Sequence, residues 1–110
     1  MRETFGEFIR KMRVKDNMTL TQLGAKLGID SGALSKIENG KRKLDEKILP
    51  IIAKTFKLNL KELTDEFISE QIAYKIYENN CSNKVLALAE EKVKYIKQKN
   101  TKQSYLEFNN

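Results

Sequence analysis

The sequence predicts an all-α fold: a compact N-terminal domain of five helices followed by a C-terminal helical extension. Three observations lead there. Apolar residues recur at spacings of three and four along most of the chain, the signature of helices with one buried face. No five-residue window alternates apolar and polar residues between turn signals, so strands find no support. Chain-breaking residues are sparse, one Pro and five Gly in 110 residues.

The first helix is expected over Thr4–Lys15, where Phe5, Phe8, Ile9 and Met12 form one apolar stripe and Asp16-Asn17 ends it. The second starts after Thr19. Thr19 with Gln22 makes a capping box, in which the hydroxyl takes the third amide and the Gln side chain returns to the cap amide. Leu23 and Leu27 are its buried edge. Gly28-Ile29-Asp30 interrupts the helical course, and Asp30 caps a third helix, Ser31–Asn39, which stops at Gly40. Lys41-Arg42-Lys43 is a basic loop. Asp45 caps the fourth helix, Glu46–Phe56, with Leu49, Ile52, Ala53 and Phe56 on one side. Pro50 lacks an amide and crowds the preceding turn, so it predicts either an irregular first turn or a start nearer Pro50. Asn59 with Glu62 opens the fifth helix, which Leu60, Leu63, Phe67, Ile68, Ile72 and Ile76 carry to Glu78, with a break expected near Thr64. Asn79 to Asn83 is a turn. The sixth helix, Lys84–Lys99, presents Val85, Leu88, Ala89, Val93 and Ile96. The expected organisation is therefore a domain over 1–65, a helical extension over 66–100 and a flexible tail over 101–110.

Composition narrows the chemistry. The chain has 21 Lys and Arg against 15 Asp and Glu, a net charge of +6, and an isoelectric point near 9.4. That balance favours a polyanionic partner, although a Lys- and Asn-rich composition also follows from an AT-rich genome. There is no His and a single Cys, Cys81. A structural zinc site is thereby nearly impossible, Ser–His or Cys–His catalysis is excluded, and no disulfide can form within the chain. Paired carboxylates in an apolar setting and Gly-rich phosphate loops after a strand are both missing, so no enzyme and no cofactor are expected. The longest apolar run, Ile48 to Ala53, is broken by Pro50 and is far too short for a membrane span. The first six residues carry no apolar signal core, and a cytoplasmic protein is expected.

The second and third helices are short and joined by a turn of about three residues containing Gly, which is a helix-turn-helix unit. Gly24 and Gly28 flank the crossing, and Leu23, Leu27, Leu34 and Ile37 bury against one another. If Leu34 and Ile37 face the core, then Ser31, Gly32, Ser35 and Lys36 face out. In such units the second helix enters the DNA major groove. Ser31 and Ser35 offer small donor-acceptors, Lys36 reaches guanine O6 and N7, and Gly32 lets the backbone approach. Asn39 and the loop Lys41, Arg42 and Lys43 fall beside the phosphates, as do Thr19 and Thr21 at the start of the second helix.

The run from Thr19 to Arg42, above all Ser35-Lys36-Ile37-Glu38-Asn39-Gly40-Lys41, resembles the phage-repressor-like family of regulators, also called XRE-type or Cro/C1-type helix-turn-helix proteins. The resemblance covers about Phe5 to Asp65. It implies base-facing roles for Ser31, Gly32, Ser35 and Lys36, and phosphate roles for Asn39, Lys41 and Lys43. It also implies a structural ion pair between Arg13 and Glu38, since an Arg fork accepts a carboxylate bidentately. Leu20 stands where the family often carries a phosphate-touching Gln, and Gly24 stands where it usually carries Ala.

The expected function is therefore sequence-specific binding of double-stranded DNA at a palindromic operator to regulate transcription. The extension resembles those of small bacterial regulators, some found beside restriction–modification genes. A homodimer is expected through it, because Phe67, Ile68, Ile72, Ile76, Val85, Leu88, Val93 and Ile96 exceed what one helical hairpin buries. Tyr74, Tyr77 and Tyr95 are expected to pack between the last two helices or at a subunit interface. The competing reading is an antitoxin or restriction–modification controller whose last helices bind another protein, with Ser104-Tyr105-Leu106-Glu107-Phe108 as a candidate segment for that partner. No small-molecule or metal site is legible.

Overall fold

The computed structural model describes residues 3–108, with side chains through Thr101. Its elements are α1 (Phe5–Lys15), α2 (Leu20–Leu27), α3 (Ser31–Glu38), a single 3₁₀ turn (Glu46–Ile48), α4 (Leu49–Phe56), α5 (Leu60–Glu78) and α6 (Val85–Phe108). No strand occurs among the described residues.

Each early helix starts on a side chain that satisfies an otherwise unpaired amide. The Thr4 hydroxyl accepts from Glu7 N–H at 3.1 Å, and the Asp30 carboxylate from Ala33 N–H at 2.8 Å. Thr19 accepts from Gln22 N–H at 3.1 Å while Gln22 Oε1 accepts from Thr19 N–H at 2.9 Å, closing the capping box in both directions. Pro50 resolves through the irregular turn. Asp45 caps the 3₁₀ turn through Lys47 N–H at 3.0 Å, and α4 restarts at Leu49 with Pro50 in its first turn, where no amide is needed. Asn59 Oδ1 accepts from Glu62 N–H at 2.9 Å to open α5. That helix runs unbroken past Thr64, whose hydroxyl donates to the Leu60 carbonyl at 2.8 Å rather than interrupting it.

The chain divides into two compact units, Met1–Ile72 and Ala73–Asn110. The first unit holds the core. Ile9, Leu23, Leu34, Leu49 and Ile52 are fully enclosed, and Phe5, Leu27, Ile37, Leu44, Ala53, Phe56, Leu63 and Phe67 complete the cluster. Burying such a side chain contributes on the order of 1.5–3 kcal/mol, so this set dominates the unit's stability. Met12, expected in the core, lies half-buried at its edge with Phe8. Phe67, expected among the surplus apolar residues of the extension, is instead 4% exposed. Its ring packs tilted on Phe5 with centroids 5.3 Å apart. One turn further, Glu70 Oε1 accepts from Phe5 N–H at 2.9 Å and so caps α1 from α5. The first unit thus needs α5 as far as Glu70, beyond the expected boundary at residue 65.

The second unit comprises the end of α5 and α6. Asn80, at φ 49°, makes the turn out of α5, and Cys81 N–H donates back to the Ile76 carbonyl at 3.1 Å. Cys81 is a half-buried free thiol. Helix α6 does not stop at Lys99, because no Gly or Pro follows to end it. It passes through the segment expected to be a flexible tail; residues 109 and 110, and the side chains of Lys102 and of the segment Ser104 to Phe108, lie outside the described residues. Tyr77 and Tyr95 are 81% and 64% exposed, and Leu86, Leu88, Val93 and Ile96 are exposed as well. The tyrosines therefore do not pack between α5 and α6 within the chain. No described helix is long and apolar enough to cross a membrane.

Candidate nucleic-acid interface

Helices α2 and α3 meet through a turn that the sequence makes at two glycines. Gly28 takes φ +74°, the left-handed region open to Gly at no steric cost. Gly24 needs its missing side chain for another reason: a Cβ there would lie 2.4 Å from the Ile29 carbonyl oxygen. That oxygen belongs to the turn backbone, so any side chain at this position would push the turn away from α2.

Helix α3 ends in a Schellman motif. Gly40 N–H donates to the Ile37 carbonyl at 3.1 Å and Lys41 N–H to the Lys36 carbonyl at 2.8 Å. The basic loop Lys41, Arg42 and Lys43 is thereby fixed at its start. Leu44, 4% exposed, fixes its end in the core. All three cations are exposed between these anchors.

The outward face of α3 carries Ser31, Gly32 and Lys36, all exposed, while Ser35 is half-buried. Its inward face carries Ala33, Leu34, Ile37 and Glu38, all buried. The Asn39 side chain donates to the Ser35 carbonyl at 2.9 Å, which ties one amide hydrogen to its own helix. At the start of α2, Thr19 and Thr21 are exposed and the first turn holds no acid. Unpaired amides and a partial positive charge therefore face out beside those hydroxyls. Leu20, between them, is half-buried against the core.

Glu38 is the one buried charged residue named among the described residues, at 5% exposure, and its carboxylate is fully engaged. Arg13 Nε donates to Oε2 at 2.7 Å and Nη2 to Oε1 at 3.0 Å. Arg13 Nη1 donates to the Met18 carbonyl at 2.9 Å. The hydrogen bonds that Arg13 donates to Glu38 raise the Arg13 pKa against a smaller lowering by burial. The cation is permanent, and it joins α1, the α1–α2 turn and the end of α3.

Sequence reasoning missed two residues that shape this face. Gly6 lies where α1 crosses α3, and a Cβ there would fall 2.2 Å from the Ile37 carbonyl oxygen. Nothing in the local sequence distinguishes Gly6 from an ordinary helical Gly. Leu44 did leave a signal, a lone apolar residue between a basic loop and a helix cap. Among the described residues, no group of three or more His, Cys, Asp or Glu side chains converges as a metal site would require.

A family model described as helix-turn-helix matches residues 9–63. The clp gene regulator ClgR from Corynebacterium glutamicum is similar in structure, at 19% identity over 67% of this chain and 79% of that one, with a TM-score of 0.48. The SinR protein/SinI protein complex is similar at 20% identity over 86% of this chain and 99% of that one, with a TM-score of 0.49. Comparison with curated proteins gave no match.

Proposed function

The chain belongs to the XRE-type (Cro/C1-type) helix-turn-helix family of DNA-binding transcriptional regulators, and on that footing we propose that it binds a palindromic operator as a homodimer. The observation that carries this reading is the exposed face of α3, bordered by the anchored cations Lys41, Arg42 and Lys43. Ser31, Gly32, Ser35 and Lys36 read base edges in the major groove. Thr19, Thr21, Lys41, Arg42 and Lys43 hold phosphates and set the register. Asn39, exposed at the end of α3, serves the same purpose once its amide gives up the 3.5 Å contact with the Ser35 hydroxyl. Two copies related by a two-fold axis place two recognition helices about 34 Å apart, one turn of duplex. The second unit is the dimerisation element, since its apolar residues lie exposed in a single chain.

Selection of duplexes from a random pool by the full-length chain tests the reading. Enrichment of an inverted repeat whose half-sites are centred about ten base pairs apart supports it. Enrichment of no sequence, at a salt concentration where the chain still retains duplex DNA, sinks it. An antitoxin or controller role, with the second unit binding a different protein, would instead give a purified chain that stays monomeric on DNA.

A further inference from the structure

The first unit carries a groove unlike the rest of this basic protein. Phe8, Leu58 and Leu63 form its floor, and Glu62, Asp65 and Glu66 rim it. None of these carboxylates takes part in an ion pair among the described residues. The groove is thus apolar at the bottom, acidic at the edge, and open.

The second unit carries the complementary surface. At about 100° per residue, Tyr95, Leu88, Val85, Ile96, Val93 and Leu86 follow one another round α6 and cover roughly half its circumference. Those of them in α6's exposed set are 47–64% exposed: Leu86 60%, Leu88 52%, Val93 47%, Tyr95 64% and Ile96 54%. A two-helix seam covers a narrower stripe than this; so wide a face fits a concave site. Lys97 stands at one edge of the face, and Lys99 and Lys92 lie within it between Leu88 and Val85; none of the three is ion-paired among the described residues.

We propose that the α6 helix of a second copy of this chain seats in the groove formed by Phe8, Leu58 and Leu63, with its lysines on Glu62, Asp65 and Glu66. The proposal rests on the homodimer reading and names the surface that receives the helix. Each copy has one groove and one α6, so a two-fold axis fills both grooves at once and leaves no open end. The apolar floor supplies the affinity, as helix-in-groove recognition does. The charged rim, exposed at Glu62 and Asp65 and half-buried at Glu66, sets orientation and excludes other helices.

Sedimentation of the full-length chain with two charge-reversed variants tests it. Glu62→Lys with Glu66→Lys makes groove and helix both basic; Lys97→Glu with Lys99→Glu makes both acidic. Glu62, Lys97 and Lys99 are exposed and Glu66 is half-buried, and circular dichroism verifies that each variant keeps its helices. Each variant alone is expected to weaken dimerisation by about tenfold or more. An equimolar mixture is expected to restore it, because both grooves of the mixed dimer then face helices of opposite charge. If the unaltered chain dimerises and the variants do so undiminished, the groove is not the receiving surface, and the homodimer reading survives. Weakened variants whose mixture fails to recover also overturn the groove. A monomeric unaltered chain at micromolar concentration overturns both.

Discussion

Arg13 on α1 holds Glu38 at the end of α3 through two parallel hydrogen bonds, 2.7 Å from Nε and 3.0 Å from Nη2. Its third nitrogen reaches the Met18 carbonyl at 2.9 Å. Met18 N–H donates in turn to the Arg13 carbonyl at 3.0 Å, closing the end of α1. One side chain thus sets the angle between α1 and α3 and the path of the chain into α2. Glu38 immediately precedes the Schellman turn that presents Lys41, Arg42 and Lys43, so the ion pair indirectly places the basic loop.

Removing either partner strands the other in a site from which water is largely excluded. Glu38→Ala should therefore cost about 3–5 kcal/mol. Arg13→Lys, which keeps the charge but loses the fork, should recover only part of it. Replacing both residues together with apolar ones of similar size should cost much less than either single change. Urea unfolding measures all of these; a double-variant loss equal to the sum of the two single losses would show that the pair is not coupled. The raised Arg13 pKa has a defined sign. Its contribution is complete below the ordinary guanidinium pKa and is lost only as pH rises through the higher folded value. Between pH 6 and 9 (roughly the working range of the assay) this residue should add no slope to stability.

Gly6 and Gly24 should tolerate no side chain. Gly6→Ala puts a methyl 2.2 Å from the Ile37 carbonyl oxygen, and Gly24→Ala puts one 2.4 Å from that of Ile29. Both neighbours are backbone, so α1 must move off α3 in the first case and the turn off α2 in the second, at about 1–3 kcal/mol or more. Gly32→Ala meets only the Asp30 carboxylate, at 3.2 Å. Its stability should stay within about 1 kcal/mol of the parent. Thermal unfolding separates the three, and a Gly6→Ala chain as stable as the parent would contradict the close approach of α1 to α3.

The local features of this fold were legible because they are written in adjacent residues. The capping box Thr19–Gln22 and the Asp30 cap depend on side chains three positions from the amides they serve, and the stop at Gly40 on the left-handed φ of one glycine. What crosses the chain was not legible. The Phe5–Phe67 contact and the Glu70 cap on Phe5 N–H join positions more than sixty residues apart, and no periodicity along α5 tells which of its apolar residues reach α1. Pro50 left two readings open, since a 3₁₀ turn and a late helix start carry the same sequence signal. At the candidate interface, the outward residues of α3 followed from Leu34 and Ile37 facing inward. The engagement of Asn39 with the Ser35 carbonyl depends on a rotamer that sequence does not fix.

Base-facing and phosphate-facing residues should separate by the kind of defect they cause. Lys36→Ala and Ser31→Ala should each relax preference at one operator position, by about 1–3 kcal/mol. Lys41→Ala should weaken all duplexes alike, because its target lacks sequence information. Titration against the selected operator and its single-base variants makes the comparison. If Lys41→Ala changes the preferred sequence and Lys36→Ala does not, the assigned face of α3 is wrong.

Phosphate contacts should make binding steep in salt. With Lys41, Arg42 and Lys43 exposed on each copy, about three phosphates are neutralised per copy. The dimer should then give a slope of log affinity against log salt near −5. Lys41→Ala should make that slope shallower by about one to two units for the two copies. An affinity for duplex DNA independent of salt would remove the electrostatic basis of the site.

Truncation separates what the first unit needs from what the second supplies. A chain ending at Ile72 keeps Phe67 and Glu70, and so keeps the ring contact and the cap on α1. It should fold, remain monomeric and bind a single half-site weakly, since the contribution of the second recognition helix is gone. A chain ending at Asp65 loses both contacts. Deleting a buried Phe alone costs about 3–5 kcal/mol, and the exposed amide at Phe5 adds to this. Most of the stability of a domain this small, about 5–15 kcal/mol in total, is then at risk. The shorter chain should unfold at much lower urea concentration than the longer one. Equal midpoints would mean that Phe67 and Glu70 contribute nothing to the N-terminal core. Dimerisation of the chain ending at Ile72, at the concentrations where the full chain dimerises, would remove the second unit from the interface.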